Sequence, residues 1–121
     1  MTDLRQELGR TGEELAAAHL ERLGYRVLAR RYRTRFGEID LIVADERSIV
    51  FVEVKARRAG SGRPWDALGE AKQTQVRRMA AAWLMEVRDR PRAAELRFDA
   101  VGVTIDARGR LVALDHLEDA F

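Results

Sequence analysis

The sequence contains no cysteine and only two prolines, and only two of its 22 basic residues are lysines. Without cysteine the chain can form neither disulfides nor thiolate metal sites, a composition typical of proteins from a reducing cytosol. No apolar run approaches the length of a membrane span, and no signal peptide precedes the first predicted helix. We therefore expect a cytoplasmic protein that has no membrane partner.

The length of 121 residues predicts one domain, residues 1–121, which can bury a core without disulfides. Apolar periodicity predicts an α/β fold with the element order α-β-β-β-α-β-β. Thr11 and Glu14 form a capping box that is expected to start the first helix, and Gly24 is expected to end it. The other expected elements are strands over 25–34, 37–44 and 48–57, a helix from Asp66 or Glu70 to Val87, and strands over 96–104 and 110–115.

Residues 37–57, GEIDLIVADERSIVFVEVKAR, alternate in hydrophobicity on both sides of a polar turn, which predicts a β-hairpin. The favoured register is the one that assembles a wholly apolar face. The opposed pairs on that face are Ile39 and Val54, Leu41 and Val52, and Val43 and Val50. A shift by one residue would place charges among these side chains, so the hydrophobic pattern disfavours it.

The other face of the hairpin carries charges. The same register sets Asp40 opposite Glu53, and Glu38 opposite Lys55. Opposed Cβ atoms lie about 4.5–5.5 Å apart, so the carboxylates of Asp40 and Glu53 would repel unless a proton or a cation sat between them. A divalent cation such as Mg²⁺ fits, since it binds one or two carboxylates and keeps waters for chemistry. The alternative is an ordinary Glu38–Lys55 ion pair on a sheet face that is open to water.

Lysine is informative in this chain because arginine supplies nearly all of the positive charge. Lysine is a compact charge whose pKa can be tuned, whereas the guanidinium of arginine is a fixed planar fork. Lys55, at the charged end of the hairpin, therefore fits a group that orients or deprotonates a water molecule.

Both predicted helices direct polar side chains towards the charged face of the hairpin. Glu13 heads the core-facing stripe of the first helix, while Glu14 belongs to the cap. Extending the apolar stripe of the second helix backwards reaches Lys72 and Gln73, which should point towards the sheet. Such convergence from three elements favours a functional site over an accidental charge pair.

Arginines cluster on both sides of the hairpin, in a chain whose sequence pI is about 9.5. The residues expected to bind nucleic acid are Arg31, Arg33 and Arg35 before it and Arg57, Arg58 and Arg63 after it, together with Lys72. Clustered arginines beside a carboxylate site indicate a polyanionic partner whose phosphates are contacted. The alternative is a solvated surface from an arginine-biased genome.

The histidines do not predict a zinc site. His19 falls beside the outer face of the first helix and His116 in the carboxy-terminal tail, with no further ligand at suitable spacing. Asp99 is either a charge at the sheet edge or a group that supports the site, and the sequence leaves both roles open.

The order of the charged residues resembles a known nuclease motif. Asp40, followed after twelve residues by Glu53-Val54-Lys55, is similar to the D…ExK active site of the PD-(D/E)xK nuclease superfamily. Glu13 is similar to an amino-terminal helix glutamate of archaeal Holliday junction resolvases. Ile39 departs from the superfamily motif, which has proline at that position.

Nearly the whole chain resembles the YraN family of small bacterial proteins, which are predicted nucleases. The matching segments are GRTGEELAAAHLERLGY, GEIDLI, FVEVKAR, Lys72 after a Gly-rich loop, RFDAVGV and HLEDAF. The resemblance implies a nuclease-like domain with a restriction-endonuclease-like fold, in which helices flank a mixed central sheet. It also allows a homodimer, because resolvases act as symmetric dimers on junctions with two equivalent strands.

The activity implied by the resemblance is hydrolysis of phosphodiester bonds in DNA, branched DNA included, by an endonuclease that uses Mg²⁺ or Mn²⁺. The implied metal ligands are Asp40, Glu53, the Val54 carbonyl and, through a water or a second ion, Glu13; the implied catalytic residues are Glu13, Asp40, Glu53, Lys55 and Lys72. Lys55 would orient the attacking water, and Lys72 would contact a phosphate or brace the carboxylates. A nucleic-acid-binding module that lacks catalysis and acts within a complex is the alternative.

Overall fold

The computed structural model describes residues 4–61 and 69–121, so the predicted phosphate contact Arg63 lies outside the described residues. Its elements are α1 (Leu4–Arg22), β1 (Arg26–Thr34), β2 (Gly37–Ala44), β3 (Ser48–Arg58), α2 (Glu70–Glu86), β4 (Glu95–Ile105) and β5 (Leu111–Leu117). This order confirms the α-β-β-β-α-β-β prediction. Within the described residues, no helix combines the length and the apolar character needed to cross a membrane.

The strands form one five-stranded sheet in the order β1-β2-β3-β4-β5. Only β3 and β4 are parallel; the other neighbouring pairs of this sheet are antiparallel. Parallel strands need a long crossover, and α2 lies in the connection between β3 and β4. The result is a mixed sheet flanked by helices, as in a restriction-endonuclease-like fold.

Helix α1 is continuous from Leu4, so the predicted start at Thr11 is wrong. Glycine inside a helix costs about 1 kcal/mol relative to alanine, yet Gly9 does not break this one. Leu8, one turn before Thr11, packs against the core, and such packing outweighs local propensity. At Gly12 the helix approaches β3 so closely that an added Cβ would lie 2.5 Å from the Cβ of Ala56.

Each helix covers one face of the sheet. The buried cluster under α1 consists of Ala16, Ala17, Leu20, Leu41, Val43, Val50, Val52, Val101, Val103 and Ile105. The cluster under α2 consists of Ile39, Ile42, Ala44, Ile49, Phe51, Val76, Met79, Ala80 and Trp83. Burial on both faces explains why the central strands are almost continuously apolar.

The predicted hairpin register is confirmed, since Leu41 pairs with Val52 and Val43 pairs with Val50. The face assigned to Ile39 is wrong, because this side chain packs under α2 and not beside Leu41 under α1. The strict alternation of β2 is therefore interrupted at Asp40. The interruption lies next to the last pair of the β2–β3 ladder, Leu41 with Val52.

Candidate metal centre

Asp40 sits where the ladder between β2 and β3 ends. Its Oδ2 accepts a hydrogen bond of 2.8 Å from the backbone N–H of Val54, beyond the last pair of the ladder. The carboxylate thus continues the contact between the two strands after backbone pairing has stopped. This hydrogen bond holds Asp40 beside the Glu53-Val54-Lys55 segment, as the hairpin register predicts.

The carboxyl group of Asp40 is strongly perturbed. Burial, followed by the negative charge of Glu53, raises its pKa from the usual range to about 8. The charge of Glu13 adds to this rise, while the Val54 N–H and the Lys72 ammonium oppose it. Without a further cation, Asp40 is therefore protonated through neutral pH.

Glu53 has a cationic neighbour from α2. The Nζ atom of Lys72 lies 3.0 Å from Oε1 of Glu53, and the two side chains are 29% and 17% exposed. Lys72 lies in the first turn of α2, which begins at Glu70. The prediction that the start of this helix reaches the charged face of the hairpin is therefore correct for Lys72.

Glu13 is engaged by an arginine of β1. The Nε atom of Arg31 donates a hydrogen bond of 2.5 Å to Oε2 of Glu13. The paired positions on either side place Arg31 level with Asp40. Arg31 has a φ of 50°, a left-handed conformation that is uncommon outside glycine and concentrates at functional sites.

The alternative interpretation, an ion pair between Glu38 and Lys55, is wrong. Register in the β1–β2 ladder places Arg33 opposite Glu38, and their charged atoms lie 3.7 Å apart. The β2–β3 ladder ends before it could oppose Glu38 and Lys55. Lys55 is exposed, and no ion pair joins it to any acidic residue in the described ranges.

Lys55 and Glu53 share one side of β3. Val54 and Ala56 face α1, where an added Cβ at Gly12 would touch them. Alternation then directs Glu53 and Lys55 towards the α2 side of the sheet. An ammonium without an acidic partner among the described residues therefore stands two residues beyond a partly buried carboxylate on the same face.

The donors gathered here are oxygen atoms, the ligands that Mg²⁺ and Mn²⁺ prefer. Asp40 and Glu53 supply neighbouring carboxylates. The backbone of Val54, which follows Glu53, is held next to Asp40 by its N–H group. Within residues 4–61 and 69–121, no group of three acidic or histidine side chains is arranged to hold an ion. The site fits an ion that is held by two carboxylates and completed by a carbonyl and waters, with Glu13 at a greater remove.

The predicted arginines differ in their exposure and in their contacts. Arg57 donates from Nη1 to the Ser61 carbonyl oxygen at 2.7 Å, whereas Arg58 is exposed at the end of β3. The Arg35 guanidinium lies 4.7 Å from the centre of the Phe36 ring. Arg33 is highly exposed in spite of its contact with Glu38.

Gln75 is a residue that sequence reasoning missed. Its Nε2 donates to the Phe36 carbonyl oxygen at 2.8 Å and so ties the β1–β2 turn to α2. Gly37, with a φ of 134°, lets the turn approach so closely that a Cβ there would lie 2.6 Å from Gln75 Nε2. Its place three residues after Lys72, one helical turn further on, is the signal that could have found it.

A second polar group is centred on Asp99, which is no charge at the sheet edge, because β4 lies between β3 and β5; the partners of Asp99 were not predicted. Asp99 is fully buried and accepts two hydrogen bonds from Arg97, at 2.8 and 2.9 Å. It also accepts from His116 Nε2 at 2.8 Å and from the Asp119 backbone N–H at 3.0 Å. The signal available in the sequence was an arginine and an aspartate two residues apart in the otherwise apolar strand RFDAV, and hence on one face.

The two histidines, assigned from the sequence to the outer face of the first helix and to the carboxy-terminal tail, meet in this network, and His116 belongs to β5. His19 Nε2 lies 3.1 Å from His116 Nδ1, and the rings cross at 81°. Arg97 also donates to the Tyr25 hydroxyl at 2.6 Å. The network therefore joins α1, the start of β1, β4, β5 and the carboxy-terminal residues.

A mixed sheet between helices, with a carboxylate pair at the end of the central hairpin ladder, places the chain among proteins with restriction-endonuclease-like folds. The profile of uncharacterised protein family UPF0102 matches residues 12–103, and the chain belongs to this family. This assignment confirms the resemblance to the YraN family.

The chain is similar to bacterial relatives over nearly its whole length. It is 43% identical over 120 residues to a protein of Chlorobium chlorochromatii, covering 95% of this chain and 91% of the relative. It is 40% identical to a Pelotomaculum thermopropionicum protein, with complete coverage of both, and 44% identical to one of Nocardia farcinica, with 97% and 91% covered. Each of these relatives is named only as a UPF0102 protein.

Proposed function

We propose that this protein is a nuclease that hydrolyses phosphodiester bonds in DNA with Mg²⁺ or Mn²⁺. The observation that carries the proposal is the carboxyl group of Asp40, whose pKa is raised to about 8 by burial and by Glu53. A protein that needed only a folded hairpin would gain stability from a neutral side chain here. A divalent cation removes the repulsion and turns a destabilising pair into a binding site.

In the proposed site, Asp40 and Glu53 hold the ion and the Val54 carbonyl is a further ligand. The ion, when bound, polarises the scissile phosphate and lowers the pKa of a bound water. Lys72 neutralises Glu53 in the absence of the ion. Once the ion neutralises Glu53, Lys72 is available to contact a phosphate. Glu13 holds Arg31 beside Asp40 and so positions positive charge for the substrate.

Lys55 has the most direct role in the proposed reaction. Its ammonium is exposed, unpaired among the described residues and on the Glu53 side of β3. It is therefore free to orient the attacking water or to stabilise the charge that develops on the phosphate. These contacts add no ligand to the ion, so binding of metal and catalysis are separable.

The proposed substrate is DNA because arginines surround the site. Arg33 and Arg58 are exposed at the strand ends that flank Asp40 and Lys55. Phosphate contacts of this kind give binding that is tolerant of sequence and weakened by salt. A homodimer, expected from the resemblance to resolvases, stays a prediction that sedimentation would test.

The proposal is tested by incubating the protein with linear duplex, single-stranded and four-way DNA, with Mg²⁺, Mn²⁺ or chelator. We expect cleavage that requires the metal and that falls by about a hundredfold or more in Asp40→Asn. Glu46→Gln, in the exposed β2–β3 turn, is the matched control and should cleave normally. DNA binding without cleavage of any substrate would instead identify a non-catalytic binding module, and absence of binding would reject both.

A further inference from the structure

An open cavity of about 490 Å³ lies between α2 and the β1–β2 turn. Its lining residues are Arg35, Phe36, Arg78, Ala81, Ala82, Met85 and Glu86. Met85 is 79% exposed, although it is large and apolar. The cavity therefore combines an apolar floor with a charged rim, the composition of a site for a flat ligand that is apolar on its faces and charged at its edge.

The rim of the cavity is positively charged. The guanidinium carbons of Arg35 and Arg78 lie 4.7 and 6.0 Å from the centre of the Phe36 ring. Neither arginine forms an ion pair with an acidic residue in the part of the chain that the structure describes. Glu86, the acidic lining residue, instead accepts a hydrogen bond from the Tyr32 hydroxyl. Two cations on one aromatic ring are thus left without an anion from the residues that the structure describes.

The cavity is linked directly to the candidate metal centre. Lys72 contacts Glu53, Gln75 holds the carbonyl of Phe36, and Arg78 reaches the Phe36 ring. These three residues follow one another at intervals of three along α2. The distance from Lys72 to Arg78 along the helix axis is about 9 Å, from a rise of roughly 1.5 Å per residue. A ligand that spans this distance would occupy both places at once.

The geometry points to a subsite that binds one unpaired nucleobase of the DNA substrate, stacked on Phe36. The base would replace the guanidinium groups of Arg35 and Arg78 over the ring, and these would move to the adjoining phosphates. The inference rests on the proposed nuclease function and specifies the substrate within it. Single strands are bound by this combination of aromatic faces and positive charge. A phosphate alone would need no apolar floor, and an apolar peptide would leave the two arginines unneutralised.

The subsite implies a preference for DNA that is unpaired beside the scissile phosphate. A base inside a duplex is already stacked, and extracting it costs a few kcal/mol. Nucleotides in a gap, a flap or a branch point are free of that cost. The enzyme would therefore bind such DNA more tightly than a blunt duplex of the same length.

Binding is measured in Ca²⁺, so that chemistry does not interfere, with two matched probes. One is a blunt duplex and the other the same duplex with a three-nucleotide single-stranded gap that carries 2-aminopurine. The variant Phe36→Leu keeps an apolar side chain against the α2 cluster, which Phe36 contacts, but loses the aromatic face. Val112→Ala, at an exposed apolar position on β5, is the control.

We expect the wild type to bind the gapped probe about tenfold more tightly than the blunt one, because stacking is worth about 1–3 kcal/mol per base. Phe36→Leu should abolish that preference without weakening blunt binding. The quenching of 2-aminopurine on binding should disappear with it. An unchanged preference in Phe36→Leu, or an equal loss on both probes, would overturn the subsite. Loss of self-association in Phe36→Leu with unchanged DNA binding would assign the cavity to a second copy of the chain and overturn it too.

The same experiment separates the two proposals. If the wild type binds neither probe, the proposed nuclease function fails and the subsite falls with it. If the wild type binds both probes equally and cleaves DNA with Mg²⁺, the nuclease function stands and only the subsite is overturned. Arg78→Gln, which removes a rim charge without touching the floor, should weaken gapped binding more than blunt binding.

Discussion

The protein contains two aspartates on central strands whose surroundings are opposite. Burial alone would raise the pKa of Asp99, but hydrogen bonds from Arg97, the Asp119 backbone and His116 hold it below the usual value. Asp40 receives one backbone hydrogen bond and faces Glu53 and Glu13, and its pKa is raised to about 8. Asp99 is thus a carboxylate whose charge is fully compensated, whereas the charge of Asp40 is opposed.

The difference shows that its partners, more than its burial, decide whether a carboxylate of this sheet is compensated, as Asp99 is, or opposed, as Asp40 is. Four hydrogen bonds converge on Asp99 from β4, β5 and the carboxy-terminal residues, so its charge orders the fold. At Asp40 the fold supplies too few donors and brings a second anion close. That arrangement lowers stability unless a cation binds, which is the property expected of a metal ligand.

The largest expected effect separates catalysis from stability at the Asp40 site. Lys55→Ala should reduce metal-dependent cleavage by about a hundredfold to a thousandfold, because it removes the charge that is proposed to orient the water. It should leave the unfolding free energy nearly unchanged, since Lys55 is exposed. Cleavage rates and chemical denaturation measure the two quantities.

Lys55→Arg is the informative companion variant. A planar guanidinium does not reproduce the compact charge of an ammonium beside an ion, so arginine should not restore cleavage. Full activity in Lys55→Arg together with destabilisation in Lys55→Ala would make Lys55 a structural residue. The catalytic role proposed for Lys55 beside Asp40 would then be rejected, and the two aspartate sites would differ in stability alone.

The next effect is on stability at the other site. Asp99→Asn removes a buried charge that compensates Arg97, and breaking such a pair costs about 3–5 kcal/mol. Asp115→Asn, on the exposed side of β5, is the matched control and should change stability by less than about 0.5 kcal/mol. Urea unfolding measures both. A cost for Asp99→Asn as small as that of the control would mean that the network does not stabilise the fold.

The Asp40 site should show the opposite response to neutralisation. Its pKa is raised in the folded state, so the stability it contributes is fully present below about pH 4 and is lost as pH rises through about 8. In chelator, Asp40→Asn should therefore be more stable than the wild type at pH 8, by at least about 1 kcal/mol, the equivalent of one pKa unit. At pH 4 the two proteins should be nearly equal.

Thermal melts at pH 4, 6 and 8, with chelator and with Mg²⁺, check this prediction. Mg²⁺ should stabilise the wild type, and more so at pH 8 than at pH 6, because the ion requires the ionised carboxylate. Asp40→Asn should lose most of this shift. A variant that melts below the wild type in chelator at pH 8 contradicts the assignment of Asp40 as an opposed charge.

The features that sequence predicted correctly are governed by local patterns. Hydrophobic alternation fixed the pairing of Leu41 with Val52, and helical spacing brought Lys72 to the sheet. Beyond the end of the β2–β3 ladder, the pattern no longer applies. Glu38 of β2 pairs with Arg33 of β1 instead of with Lys55 of β3. Alternation fails at Asp40, which also lies beyond the last pair of the β2–β3 ladder. The wrong prediction for the face of Ile39 therefore coincides with the candidate site.

The Asp99 network was beyond local reasoning for a different reason. Its members come from distant parts of the chain, and 97 positions separate His19 from His116. No periodicity links such residues; only the packing of α1 against β4 and β5 does. The start of α1 was missed likewise, because the packing of Leu8 against the core is a tertiary contact.

The smallest expected effect lies at the outer end of this network. A carboxylate only accepts, so His116 directs its Nε2 proton towards Asp99, and its Nδ1 forms the hydrogen bond with His19 Nε2. Burial, then the positive charges of His116 and Arg22, lower the pKa of His19. His19→Ala removes this one hydrogen bond and should cost about 1 kcal/mol.

A double-mutant cycle between His19→Ala and Asp99→Asn tests whether the imidazoles relay the effect of the carboxylate. The two changes should destabilise by less than the sum of the single changes, because the loss of Asp99 already releases the orientation of His116. The pH dependence gives a second check: with a lowered pKa, His19 contributes stability that is present above about pH 6.5 and is lost as pH falls. The loss of unfolding free energy caused by His19→Ala should therefore be smaller at pH 5. If the two substitutions are strictly additive and this loss does not change with pH, the contacts around Asp99 are independent of one another.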